Sequence, residues 1–169
     1  MTHLSQLADF VASAQPGDDV LAKTAQILAD SVGAIVGGAA EPEVAALSVK
    51  VSTGSSGPAA LIGTGKTAAP SVVALLNGTA GTTLEMDEGN QFCKGHPGMH
   101  VIPAALAEAS GGTATGRELL SAIALGYEAA ARVGIATSLR ASMHPHGTWG
   151  AIGAVVAVLR LRGASADEM

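Results

Sequence analysis

Four of the five histidines in this 169-residue chain fall in two short segments rich in glycine and proline. The first segment carries His96 and His100, and the second carries His144 and His146. Loops held by rigid helices are where catalytic groups usually lie. Because imidazole titrates near neutral pH, two such loops facing each other would supply proton donors, proton acceptors and anion contacts. We expect His96 and His144 to converge on one cleft; two ordinary solvent-exposed loops are the alternative.

Three carboxylates precede the first histidine segment, at Glu85, Asp87 and Glu88. Such a run is often a solvated helix end, but beside a histidine loop a carboxylate can orient an imidazole or act as an acid or base. We expect Glu85 or Asp87 to lie within hydrogen-bonding distance of an imidazole. Lys94, Arg140 and the loop histidines concentrate positive charge on a chain whose formal net charge is −5, which suits an anionic ligand.

Three other features indicate different chemistry less strongly. Cys93 could be a nucleophile. Because it is the single cysteine, an internal disulfide is excluded, and this cysteine content fits a reducing cytoplasm. Histidines and carboxylates can bind metals, but no two histidines four residues apart are assigned to one helix and no His-Glu-x-x-His motif occurs, so we expect no metal. Residues 63–67 superficially resemble a phosphate loop but lack that motif's first glycine, so we reject this interpretation.

Helical patterns fill most of the chain and must position these loops. The predicted helix starts are at Thr2, Asp18 or Asp19, Glu41-Pro42, Pro70, Ile102-Pro103, Thr115 and Thr148. Gly37-Gly38 is predicted to end the second helix, and residues 87–97 to form a polar loop. Residues 58–65 are a short extended piece at most, and no segment alternates as a strand does. The prediction is a single all-α domain over residues 1–169, a tightly packed helical bundle.

Composition excludes several classes of protein. Hydrophobic residues make up 48% of the chain and charged residues 14%, which excludes disorder. The net negative charge argues against a nucleic-acid partner. The longest apolar run, residues 151–159, is far shorter than a membrane span, and no signal peptide is evident, so we expect a cytoplasmic protein without a membrane partner.

Short motifs run through nearly the whole chain in a recognisable order. They are Ala29–Gly33, Leu61–Gly65, Asn77–Ala80, Leu84–Glu88, His96-Pro97, Val101–Ala107, Gly126–Glu128 with Arg132, and His144–Gly150. Together they resemble the MmgE/PrpD family, which includes 2-methylcitrate dehydratase, cis-aconitate decarboxylase and iminodisuccinate epimerase. The combination of motifs is far more specific than any one of them.

The resemblance implies a fold and a chemistry. Members of the family have a large all-helical domain, built from N- and C-terminal segments, and a smaller α+β lid. They are usually homodimers without a metal or organic cofactor. Their reactions remove a proton next to a carboxylate, or cleave a carboxylate, in small di- and tricarboxylates. This chain would correspond to the N-terminal part of the helical domain, without the lid.

The resemblance also suggests which residues do the chemistry. The predicted catalytic residues are Glu85, Asp87, His96 and His144. The predicted substrate-binding residues are Glu88, Lys94, His100, Arg140 and His146. His144 or His96 would take or deliver a proton α to a carboxylate. The acid at Glu85 or Asp87 would orient that histidine or protonate a leaving hydroxyl.

The chain departs from the family pattern at several positions. Glu85 stands where the family has aspartate, so its carboxylate is displaced by about 1 Å, enough to cost catalysis heavily. Gly89 replaces a small hydroxyl residue, and Thr82-Thr83 replaces a common upstream histidine. A non-catalytic helical module that binds a ligand or a partner chain is therefore the alternative to a lyase or isomerase.

The end of the sequence indicates a need for further chain. Ser165–Glu168 is a capping box, a helix start signal close to the last residue. The family's lysine-bearing segments and lid lie beyond the matching region. We therefore expect a subunit or fragment that needs a complementary segment, and either a homo-oligomer or a hetero-complex because apolar helix faces would otherwise be exposed.

Overall fold

The computed structural model describes residues 2–143 and 148–169 and consists mainly of α-helices. The helices are α1 (His3–Ser13), α2 (Asp18–Ala39), α3 (Pro42–Ser52), α4 (Pro70–Thr83), α5 (Gly98–Ala109), α6 (Gly116–Ala136) and α7 (Gly150–Leu161), followed by a 3-10 turn (Ala166–Glu168). Thr2 caps α1 by accepting the Ser5 N–H at 3.1 Å, and Thr115 forms a reciprocal capping box with Glu118 at the start of α6. The predicted all-α fold is confirmed.

Two predicted helix boundaries were wrong. Helix α2 continues through Gly37-Gly38 to Ala39, because Gly38 is the point at which α2 packs directly on the main chain of α4. Helix α5 begins at Gly98 rather than near Ile102-Pro103, so Pro103 lies inside the helix. In both cases tertiary packing overrides a local stop or start signal.

A small hairpin replaces the extended piece expected near residue 60. Strand β1 (Ala59–Leu61) pairs antiparallel with β2 (Lys66–Ala68), with Ala59 opposite Ala68. The buried Asn77 of α4 ties this hairpin to the bundle. Its Nδ2 donates to the Ala60 carbonyl and its Oδ1 accepts the Ile62 N–H, both at 3.1 Å.

Replacing Asn77 with alanine is expected to lower the free energy of unfolding by about 2 kcal/mol, because the Asn77 bonds to the Ile62 N–H and the Ala60 carbonyl would both be lost. Urea denaturation measures the change. Ser71→Ala, at an exposed position on the same helix, is the control and should stay within about 0.5 kcal/mol of wild type. If N77A and S71A changed the free energy of unfolding equally, this would contradict a stabilising role of the two Asn77 hydrogen bonds.

Helix α5 lies at the centre of the bundle, where Val101, Ile102 and Ala105 are fully buried. It packs against α4, α6 and α7. Helices α6 and α7 approach closely at Gly126, where a Cβ would lie 2.5 Å from the Gly153 carbonyl oxygen. The first turn of α5 is therefore rigidly placed, and the loop that precedes it contains most of the predicted site residues.

Helices α2 and α6 are long and apolar enough to cross a membrane, judged by length and composition alone. Buried core helices of soluble proteins meet the same criterion, and half of the α6 segment is buried inside the fold.

Candidate active site

The loop from residue 84 to residue 97 joins α4 to α5 and is folded by its own main chain. Asn90 and Gly95 pair through two backbone hydrogen bonds of 2.8 and 3.3 Å, and the Asn90 side chain accepts the Phe92 and Cys93 N–H groups. Glu85 and Lys94 adopt left-handed conformations with φ of 52° and 55°. This tight fold brings residues 87 and 88 back against residue 96.

His96 and Asp87 form the closest pair of predicted catalytic groups. The His96 Nδ1 lies 3.0 Å from an Asp87 carboxylate oxygen and 2.8 Å from the Glu88 main-chain carbonyl oxygen. The Asp87 side chain is only 2% exposed, whereas that of His96 is 30% exposed. Because both neighbours of Nδ1 are acceptors, they favour the tautomer with the proton on Nδ1, in which Nε2 is the basic nitrogen.

Glu88 is held by donors on two different helices. One carboxylate oxygen accepts the Gly98 N–H at the start of α5, and the other accepts the Tyr127 hydroxyl proton at 2.9 Å. A carboxylate at this position also interacts favourably with the positive end of the α5 dipole. Both carboxylate oxygens thus bond to protein donors, and a role of Glu88 in substrate binding stays a prediction.

Burial raises the pKa of Glu88 above its ordinary value, outweighing the lowering effects of Gly98, Tyr127 and His96. The folded chain therefore holds this proton more tightly than the unfolded chain does. The stabilising contribution of protonated Glu88 is complete below the ordinary glutamate pKa and is lost as the pH rises through the raised folded value.

Glu88→Gln removes the titrating group and is the reference. As the pH rises from the ordinary glutamate pKa to the raised pKa of folded Glu88, we expect the free energy of unfolding of wild type to decrease relative to this variant. Glu108 is a control of opposite sign, because hydrogen bonds from Arg162 lower its pKa. Relative to Glu108→Gln, wild type should instead lose stability as the pH falls. Denaturant unfolding at a series of pH values measures both differences in the free energy of unfolding. If the two differences changed with pH in the same direction, this would contradict the raised pKa of Glu88.

Glu85 and His100 line a second feature, a surface concavity of about 460 Å³ between α4 and the start of α5. Thr79, Thr82 and Met99 also line it. His100 was predicted to lie in a loop but lies in the first turn of α5, where its imidazole packs against the Gly150 main chain. Five of the described site residues thus form two groups, with Asp87 and Glu88 around His96, and Glu85 and His100 at this concavity.

The remaining predicted residues lie elsewhere or are not described. Lys94 and Arg140 are exposed. His144 and His146 lie outside the described residues, so the convergence of His96 and His144 stays a prediction. Cys93 is buried, and burial raises the pKa of its thiol, which disfavours the nucleophilic thiolate.

Comparison with known families identifies the chain. The MmgE/PrpD N-terminal domain matches residues 5–169. The chain belongs to the MmgE/PrpD family. No curated protein matches it significantly. In this MmgE/PrpD chain the loop around His96 and the concavity beside it constitute the candidate active site.

Sequence reasoning did not predict the contact of Tyr127 with Glu88 in this MmgE/PrpD chain. The motif Gly126–Glu128 contributed to the resemblance, but no role was assigned to it. Tyr127 and Glu88 are 39 residues apart in the sequence, and a pattern of neighbouring residues does not predict a contact at that separation. Tyr127 is the one aromatic residue of α6, and this was the available signal, since a partly buried hydroxyl needs a partner.

Proposed function

We propose that this chain supplies the acid–base part of a lyase or isomerase acting on small di- or tricarboxylates in the cytoplasm. The observation that carries the proposal is the His96 imidazole, oriented through Nδ1 by the buried Asp87 carboxylate and the Glu88 carbonyl. Such an arrangement is suited to a general base, because the carboxylate fixes the tautomer and stabilises the imidazolium that forms. Family membership supports the same reaction class.

The proposed step uses the Nε2 atom of His96. Nε2 takes the proton from a carbon α to a substrate carboxylate, and the C–H electron pair forms a carbon–carbon double bond. In a dehydration the β-hydroxyl leaves as water after receiving a proton from an acid, for which Glu85 or His144 is proposed. In an epimerisation the electron pair is instead delocalised onto the substrate carboxylate. An acid on the opposite face, for which Glu85 or His144 is proposed, delivers a proton to the same carbon, and no group leaves.

The substrate carboxylates need positive charge that the described part of the site supplies sparingly. Two carboxylate residues, Asp87 and Glu88, lie beside His96, and the nearby cation Lys94 is exposed. We propose that a complementary segment, encoded with or beside this chain, contributes the lysines that bind the substrate. The resemblance to the family, whose lysine-bearing segments lie beyond the matching region, supports this arrangement.

Exposed apolar side chains support association with another chain. Met86 and Phe92 on the site loop are 70% and 71% exposed, and Ile152 and Val155 on α7 are 43% and 53% exposed. Covering such groups stabilises a complex by removing apolar surface from water. We propose a homo-oligomer or a complex with the complementary chain. A monomer at micromolar concentration in light scattering, with no complex formed on co-expression, would contradict this.

The test of the proposed function is a substrate screen by NMR. The chain is assayed alone and after co-expression with any encoded remainder, using 2-methylcitrate, cis-aconitate and iminodisuccinate. Turnover of one substrate by the pair, and loss of that turnover in Asp87→Asn, is the expected result. Binding without turnover of any of the three would instead favour the non-catalytic module suggested by the departures at Glu85 and Gly89.

A further inference from the structure

Tyr127 connects the middle of α6 to the loop that carries His96. Its ring packs against the buried cluster of Cys93, Ala130, Ala131 and Trp149. Its hydroxyl leaves this apolar cluster and donates to a carboxylate oxygen of Glu88 at 2.9 Å. Because one side of the ring packs against this cluster, the packing restrains the position of the hydroxyl.

Glu88 in turn contacts the segment containing His96 on both sides. Its side chain accepts the Gly98 N–H, two residues after His96, and its main-chain carbonyl oxygen accepts the His96 Nδ1 proton at 2.8 Å. A displacement of Glu88 would therefore change both the support of the imidazole and the start of α5. Tyr127 is the group that holds the second carboxylate oxygen against such a displacement.

We propose that Tyr127 is a positioning residue for His96 and acts through Glu88. The inference rests on the proposed function only in that the positioned imidazole is the base. Tyr127 is not required to touch the substrate. Its contribution is to keep the Glu88 carbonyl, and with it the Nδ1 proton of His96, in one place.

The protonation of Tyr127 fits this role. Burial and the charge of Glu88 raise the pKa of the phenol, so the hydroxyl keeps its proton over the physiological range and remains a donor. Hydrogen bonds to a charged acceptor are stronger than neutral ones. Loss of the bond therefore leaves a partly buried carboxylate oxygen without a strong donor, and the side chain gains by turning toward water.

The test compares Tyr127→Phe with Glu128→Gln. The first variant keeps the packed ring and removes only the hydroxyl. The second changes Glu128, the residue after Tyr127 in the same helix. It removes the ion pair between Glu128 and Arg132 and leaves the contact of Tyr127 with Glu88 intact. The readouts are the ¹⁵N shifts of the His96 ring, which report the tautomer, and the hydrogen exchange rate of the Gly98 amide.

In Y127F we expect the Gly98 amide to exchange about ten-fold faster and the Nδ1–H form of the His96 ring to lose population. In E128Q both readouts should match wild type. Glu88→Gln should reproduce the His96 change, and the double variant Y127F/E88Q should add little to either single variant because both act on one chain of contacts. If Y127F does not fold, E88Q still tests the proposal, because Tyr127 is proposed to act through Glu88. Unchanged His96 ring shifts in E88Q would then overturn it.

A merely structural role would lower the midpoint of unfolding in Y127F and leave the His96 ring shifts unchanged, which would overturn the proposal. Additive effects of Y127F and E88Q on the ring would overturn it too. The readouts do not depend on turnover. A chain that fails the substrate screen but shows Tyr127-dependent ring shifts would refute the proposed function and retain the positioning role.

Discussion

Replacing Asp87 with asparagine is expected to reduce kcat/KM by about 10³-fold in the active assembly, mainly through kcat. Asp87 is buried, and one of its carboxylate oxygens lies 3.0 Å from the Nδ1 atom of His96. An asparagine is neutral and no longer stabilises the imidazolium that forms when Nε2 takes the substrate proton. The geometry of the loop is retained, because the Glu88 carbonyl still accepts the Nδ1 proton.

Steady-state kinetics on the substrate identified by the NMR screen measure this effect. Asp9→Asn is the matched control, because Asp9 is exposed on α1 and the same charge is lost there. It should leave kcat/KM within two-fold of wild type, as expected of a surface change remote from the site. A D87N variant that is folded and as active as D9N would exclude Asp87 as the partner of the base.

Replacing Gly38 with alanine is expected to destabilise the fold by about 3 kcal/mol, at the upper end of the cost of overpacking. A Cβ at this position would overlap the carbonyl oxygen of Ala80, so a main-chain segment of α4 would have to move. Side-chain rearrangement cannot relieve a clash between a new Cβ and a backbone atom. Because α4 leads into the site loop, activity should fall together with stability.

Gly33→Ala on the same helix is the control for this prediction. A Cβ at Gly33 meets no atom within 4 Å, so alanine should stabilise α2 by about 0.5–1 kcal/mol through its better helix propensity. Thermal or urea unfolding of the two variants measures the difference in sign. A G38A variant as stable as G33A would contradict the direct packing of α2 on α4.

The parts of the fold that follow from neighbouring residues could be predicted. The caps at Thr2 and Thr115 depend on groups three residues away, and both are present. The continuation of α2 through Gly38 depends instead on Ala80, and no pattern within α2 reveals that its second glycine is a packing position. A glycine that ends a helix and one that permits a close crossing look alike in the sequence.

The start of α5 could not be predicted for a related reason. Proline favours the first turn of a helix, which placed the start near Pro103. In the structure Pro103 is buried inside α5, and Gly78 of α4 packs close to Pro103 and to Met99, whose carbonyl would accept the missing N–H. The Glu88 carboxylate at Gly98 extends the helix toward His96, and this contact joins residues ten apart.

The candidate site was predictable as a set of residues but not as an arrangement. Spacing placed a carboxylate near an imidazole, and Asp87 lies beside His96 as expected of one of the two acids. The exposed Glu85 lies with His100 along the neighbouring concavity instead. This division follows from the left-handed turn at Glu85, which directs the chain back toward residue 96 and is uncommon for a residue other than glycine or asparagine.

Solvent deuterium incorporation tests most directly whether His96, oriented by Asp87, is the base. The active assembly is incubated in D₂O with the substrate found in the screen, and NMR follows deuterium at the carbon α to the carboxylate in product and recovered substrate. Wild type is expected to incorporate deuterium, and His96→Gln to do so at least about 100-fold more slowly while remaining folded. Incorporation by H96Q at the wild-type rate would contradict the central claim.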